Sequence, residues 1–156
     1  MAGAGRWLAV DHGAKRIGLA VGDEASGIAS PVEQVFTEEA GCLDRIGEIA
    51  RSYDVRGVVV GWPLLTDGSE GGQGRTARRF AAELAAATGL DVRMWDERLS
   101  SFTADQRLKG TMTRKRKKRR HDAVAAAAFL EDFLAADGPS TAPRPQAGSL
   151  PDGASQ

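Results

Sequence analysis

The sequence predicts an α/β domain in which an antiparallel strand meander is followed by strand–helix–strand crossovers. Three observations carry this prediction. Short apolar runs separated by turn residues crowd the chain up to Phe36. The period then switches to helical spacing at Leu43, Ile46, Ile49, Ala50 and Tyr53, and the β-branched run Val55–Gly61 stands between two helix-forming segments.

Taken in order, Trp7–Asp11 is a short apolar strand that ends on an acid, and Ile17–Val21 is a second, bracketed by Gly18 and Gly22. The turn His12-Gly13-Ala14-Lys15 joins them as a hairpin. A third strand covers part of Ile28–Phe36, where Pro31, lacking an N–H, fits an edge or a bulge. After the first helix, Val55–Gly61 has the composition of a strand buried on both faces. Pro63 ends it, Leu64–Gly74 is a glycine-rich loop, and Arg75–Ala87 is a helix on propensity, stopped by Gly89. Leu90–Trp95 is the last strand, ending on Asp96-Glu97-Arg98. A short helix over Thr103–Lys109 and a basic loop then precede a final helix from about Arg120 to Ala136.

One domain, residues 1–137, accounts for nearly all the apolar content. The stretch 138–156 is Gly, Pro, Ser and Ala with little else, and reads as a disordered tail. Cys42 is the single cysteine, which excludes an intrachain disulfide, and no Cys/His cluster has zinc spacing. The N-terminal residues lack the pattern of a signal peptide, and AVAAAAFLEDFLAA is interrupted by Glu131 and Asp132, so neither export nor a membrane span is expected and the cytoplasm is the expected compartment. The 21 basic and 21 acidic residues balance, yet Arg114–Arg120 reads RKRKKRR. Positive charge gathered in one block points to a localised polyanion contact.

Three acids stand at informative places. Asp11 and Glu97 close the first and last strands, and ligands gather at the carboxyl ends of strands in α/β sheets. Asp122 opens the final helix and shares a face with Ala126, Phe129 and Phe133, a stripe that must meet the sheet. Singly, each acid is more often structural: a turn former, a helix N-terminal charge, a solvated strand end. Jointly, converging carboxylates repel unless a cation lies between them, and oxygen-only sites suit Mg²⁺ or Mn²⁺. Two such ions clamp the oxygens of an in-line phosphodiester displacement. Of the adjacent pair Asp96 and Glu97, Glu97 is the favoured ligand.

The segments DHGAKRIGLAVGD, VVVGWPLLTDGSEGGQG, WDERLSS and KRKKRRHDAVAAAAFL, in this order, resemble the motifs of the YqgF family of pre-16S rRNA nucleases and Holliday junction resolvase-like proteins. The resemblance runs from about Arg6 to Ala136. It implies an RNase H-like fold with a five-stranded mixed sheet flanked by helices. Asp11, Glu97 and Asp122 match the family's metal-binding acids, and Gly61 and Pro63 its G-x-P turn. Lys15 and Arg16 match its basic pair, and Arg98 its DER arginine, placed for a backbone phosphate. Two positions depart: His121 replaces a more usual apolar residue, and Ala125 stands where related junction resolvases carry a fourth acid.

The expected activity is therefore a metal-dependent endonuclease with two Mg²⁺ or Mn²⁺ ions and structured RNA, or branched DNA, as partner. Arg114, Lys115, Arg116, Lys117, Lys118 and Arg119 would hold backbone phosphates, which positions a substrate without reading sequence. Trimming of precursor 16S rRNA is the leading reading. Resolution of a four-way DNA junction needs two symmetric cuts and hence a homodimer, whereas RNA trimming is open to a monomer. A non-catalytic nucleic-acid-binding module is the third reading; an actin-like ATPase would need a duplicated domain that this length excludes. His12 and His121 neighbour ligand acids and are candidate proton donors, though backbone hydrogen bonding is the simpler role. Trp62 reads as a packed loop anchor and Cys42 as a core residue.

Overall fold

The structure, a computed structural model, describes residues 5–37, 41–99 and 114–145, with only the backbone over 114–122. The hairpin forms as expected. β1 (Arg6–His12) pairs antiparallel with β2 (Arg16–Asp23), and the Gly13 amide donates to the Arg16 carbonyl at 2.8 Å across the turn. β3 (Ala29–Phe36) adds antiparallel to β2 and is an edge strand; the register slips where Pro31 enters, between Leu19 and Ala20 of β2. A missing N–H is harmless there.

Helix α1 (Cys42–Ser52) buries Ile46, Ile49 and Ala50 and returns the chain to β4 (Gly57–Trp62), all six residues of which are buried. Helix α2 (Gly72–Thr88) leads to β5 (Asp91–Asp96) and ends on Gly89, whose φ of 73° is the left-handed conformation a helix stop uses. β4 lies parallel to both β1 and β5, so the sheet order is β3-β2-β1-β4-β5. α2 begins three residues before the expected start, within the glycine-rich stretch.

The two faces of the sheet bury different residues. Leu8, Val10, Val58, Val60 and Met94 pack beneath α1 and α2, whereas Trp7, Ala9, Ala20 and Val59 pack beneath the long helix α3 (Arg114–Ala135). The stripe expected on that helix is realised: Ala126 and Phe133 are fully buried and Phe129 is nearly so. Phe129 lies against Gly61 at the carboxyl end of β4, and Phe133 meets Trp7 edge-on at 5.1 Å near the start of β1. The helix therefore descends the sheet from its carboxyl edge.

Two regions depart from what the sequence implies. The basic run is not a loop: α3 starts at Arg114, so RKRKKRR forms its first two turns and Asp122 lies within the helix rather than opening it. Lys and Arg are good helix formers, which the charge count alone obscures. The tail does not begin at Gly138. Gly138–Thr141 forms a helical turn packed on Phe133, Ala142 is buried, and the Pro143 carbonyl accepts from the Met94 amide at 2.7 Å. The exposed edge of β5 supplies donors that order this strap, and the strap in turn covers an edge otherwise open to another chain. Arg93 holds it through the Ala142 carbonyl at 2.9 Å. Burial works against the Asp91 carboxylate, but Arg93 and Arg144 outweigh that effect and keep its pKa below the usual value. The helix expected over Thr103–Lys109 and the remainder of the tail lie outside the described residues. No described helix is long and apolar enough to cross a membrane.

Candidate active site

Strand alternation places the first acid. Trp7 and Ala9 face α3, so Asp11 continues their row on that face. In the adjacent strands the same level is occupied by Gly61 and Trp95, which are register partners. Glu97 follows β5 directly, at the start of a 3-10 turn (Glu97–Leu99), and shares a side-chain hydrogen bond with Asp11. Its carboxylate occupies the space above Gly61: a Cβ there would collide with Glu97 Oε2 and stand 3.0 Å from the Phe129 ring. Glycine at 61 is thus a requirement of the site, not of the turn that follows it.

Burial is the main reason the Glu97 pKa lies above its ordinary value; the charge of Asp96 adds to the rise, and the hydrogen bond from Asp11 opposes it. Two carboxyl groups that share one hydrogen bond and little water favour a proton, or a cation, between them. Asp122 sits one helical turn before the buried Ala126, at the carboxyl edge of the sheet, and its side chain lies outside those described. Among the described residues no three Asp, Glu, His or Cys side chains come together as a metal site. The two hard-oxygen donors present suit Mg²⁺ or Mn²⁺.

Asp11 and Glu97 open into a cleft of about 600 Å³ whose other walls are the β1–β2 turn, Pro63, and Gly72, Gln73 and Thr76 of α2. Lys15 is exposed in that turn and Arg16 begins β2 beside it. His12 faces the opposite side of the sheet from Asp11. Its ring packs on Phe80 at 4.3 Å, and burial lowers its pKa, opposed by the charge of Glu83.

Arg98 is engaged within the protein. It pairs with Asp96 through Nε–Oδ1 at 3.0 Å and Nη2–Oδ2 at 2.7 Å, and donates to the Thr66 carbonyl at 3.2 Å. It therefore holds the loop between β4 and α2, and Asp96 is its partner. Lys115, Arg116, Lys117, Lys118 and Arg119 lie with Arg114 on the first turns of α3, beyond the carboxyl edge, where only the backbone is described. Like charges three and four positions apart oppose a helix by about 0.2–0.5 kcal/mol per pair, so this segment calls for counter-charge.

Sequence reasoning missed Glu70. It accepts from Arg78 Nε at 2.8 Å and Nη2 at 2.9 Å and from the Trp62 indole at 3.0 Å, clamping the loop to α2 and β4. Trp62 is thus the packed anchor expected of it. No periodicity links residues 62, 70 and 78; only their convergence in space reveals the clamp. The Arg78 hydrogen bonds hold the Glu70 pKa below its ordinary value, and this depression outweighs burial. A carboxyl depressed on folding contributes stability that is complete above its unfolded pKa, near 4.5, and is lost as pH falls through the folded value. Glu70→Gln is expected to cost about 2 kcal/mol at pH 7 and much less at pH 3, measured by urea unfolding at both.

The sheet order, the long helix across one face and paired acids at the carboxyl edge together define a protein of the RNase H-like class. Thermus thermophilus RuvC matches this fold with a TM-score of 0.52 at 17% identity, over 88% of this chain and 98% of its own. The same protein in complex with a Holliday junction substrate matches with a TM-score of 0.53 at 16% identity, over 89% and 99%. The chain belongs to the RuvX family, described as Holliday junction resolvase, which it matches over residues 5–136; this is the YqgF family whose motifs the sequence carries. Relatives bearing the name pre-16S rRNA nuclease include one from Anaeromyxobacter sp. (strain K), 48% identical over 131 residues, covering 83% of this chain and 96% of the relative. Another, from Rhodopirellula baltica, is 42% identical over 135 residues, 85% of this chain and 78% of the relative. A third, from Bacillus thuringiensis (strain Al Hakam), is 39% identical over 133 residues, 83% and 97%.

Proposed function

We propose that this protein is a metal-dependent endonuclease that trims precursor 16S rRNA in the cytoplasm, with Asp11, Glu97 and Asp122 as metal ligands. The observation that carries the reading is the half-buried, hydrogen-bonded Asp11–Glu97 pair held over Gly61. A pure binding protein gains nothing from acids that repel phosphate, whereas a cation site gains from both. With two Mg²⁺ or Mn²⁺ ions bound, the site acquires a clamp on the attacking and leaving oxygens of an in-line displacement. The chain's own residues do the rest. Gly61 keeps the space for Glu97, Asp11 orients it, and the loop held by Arg98 and Glu70 fixes the cleft wall. Lys15, Arg16 and the basic turns of α3 supply backbone contacts that fix the register of the substrate.

A four-way DNA junction is the second substrate, favoured by the description of the family to which the chain belongs. It requires a homodimer, since two symmetric cuts are made; RNA trimming is served by a monomer. Incubation with a precursor 16S rRNA fragment and with a four-way junction, each in Mg²⁺, Mn²⁺ or EDTA, decides between them. Metal-dependent cutting of the RNA is expected. Binding to both without cutting in any metal would replace the nuclease reading with that of a binding module.

Replacing Lys115, Arg116, Lys117, Lys118 and Arg119 with glutamine is expected to weaken binding in EDTA. The dependence of log affinity on log salt should flatten by about 0.7–0.9 for each phosphate contact removed. Anisotropy titrations across 50–200 mM salt test this, and unchanged affinity would strip the run of its role.

A further inference from the structure

The catalytic cleft does not end at the β1–β2 turn. A second hollow, about 260 Å³, adjoins it and shares two of its lining residues, His12 and Thr76. One stripe of α2 walls both: Gly72 and Thr76 in the first, Thr76, Arg79 and Glu83 in the second. These positions follow helical spacing and extend about 16 Å along the axis. We propose that the two hollows form one trough that carries a single RNA strand away from the cleavage site, with Arg79 holding a backbone phosphate. The proposal rests on the nuclease reading and extends it to the strand flanking the cut.

Arg79 is exposed and forms no ion pair among the described residues, whereas the neighbouring Arg78 is consumed by Glu70. A guanidinium in that position presents a planar donor fork to phosphate. Leu43 and Cys42 give the hollow an apolar side for a sugar or base, and its volume admits a sugar-phosphate but not a duplex. Two threonines set the chemistry of the remaining wall. Thr37 Oγ1 donates to the Gly13 carbonyl at 3.0 Å, and Thr76 Oγ1 to the Gly72 carbonyl at 3.0 Å. With their protons used, both hydroxyls offer only lone pairs, and a ribose 2′-OH, unlike deoxyribose, can donate to them. Glu83 stands at the far end of the stripe and limits how far a phosphate chain is welcome.

The test is anisotropy binding in EDTA of a short duplex carrying a single-stranded flank, made once in RNA and once with a DNA flank, beside a blunt duplex. Arg79→Ala is expected to weaken binding of the flanked RNA about tenfold, to lower the salt slope by about one phosphate, and to leave the blunt duplex and the melting temperature unchanged. Arg79→Lys should recover most of the loss, Glu83→Gln should tighten binding, and Thr37→Val with Thr76→Val should erase the preference for the RNA flank. Equal affinity of Arg79→Ala and wild type for the flanked RNA would overturn the trough. Metal-dependent cutting of precursor 16S rRNA in that case would leave the nuclease reading standing while the trough falls; wild-type protein that cuts nothing in any metal would remove the reading on which the trough rests.

Discussion

Asp11→Asn is expected to lower the single-turnover cleavage rate by about 10³-fold or more, while the metal-free protein becomes more stable. The rate loss corresponds to the several kcal/mol of charge stabilisation that a bound divalent ion supplies at a phosphoryl centre. The stability gain follows from the same geometry. Asp11 shares a hydrogen bond with a half-buried Glu97 whose pKa is raised by loss of solvent. An asparagine keeps the shape of the side chain and donates an amide proton to Glu97, so the pair is satisfied without sharing a proton or a cation. Activity and stability thus oppose each other at this position, as they do at many active sites. Cleavage assays with melting curves in EDTA measure both. A variant that cuts like wild type would remove Asp11 from the chemistry, and one that melts at a lower temperature would contradict the stated relation between the two acids.

Gly61→Ala should be nearly as damaging, by a different route. The added methyl would occupy the position of Glu97 Oε2 and crowd Phe129 from the other side. Glu97 has more room to shift, since it is half-buried at the start of a 3-10 turn, whereas Phe129, on α3, is buried against the sheet. Glu97 is therefore expected to swing out of the site. A ligand displaced by an ångström or more costs about 10²-fold in rate. The fold should persist, with a loss of about 1–3 kcal/mol from overpacking. Substrate affinity in EDTA should be unchanged, because no phosphate-binding residue moves. Wild-type cleavage by Gly61→Ala would mean that Glu97 does not act from the position it occupies here.

Much of this was legible in the sequence because the relevant signals are local. A proline on an edge strand, a run of β-branched residues on an interior strand and a helix stop at Gly89 are each decided by backbone chemistry within a few residues. The placement of two acids is local in the same way: Asp11 lies at the end of β1 and Glu97 directly follows β5.

What was misread is long-range. The start of α2 was hidden because Gly71, Gly72 and Gly74 argue for a loop, yet Gly74 sits where a Cβ would press on Glu70. Packing decides that position, not propensity. The strap at 138–145 has the composition of disorder and is ordered by backbone groups on β5 that no sequence window contains. Arg98 also donates to the Thr66 carbonyl, a contact that exists only once β5 and the loop are side by side. The basic run, by contrast, is a local matter: Lys and Arg favour a helix, and their helix propensity prevails over the density of like charge.

The central claim is that acids from three separate elements act as one site. It is tested most directly by single-turnover cleavage of the RNA substrate in Mg²⁺ by Asp11→Asn, Glu97→Gln, Asp122→Asn and the three pairwise doubles. Residues that hold the same ions fail together, so each single variant should lose activity to a similar residual level and the doubles should lose little more. Cleavage by Asp122→Asn at the wild-type rate, or losses that simply multiply in the doubles, would contradict a shared site.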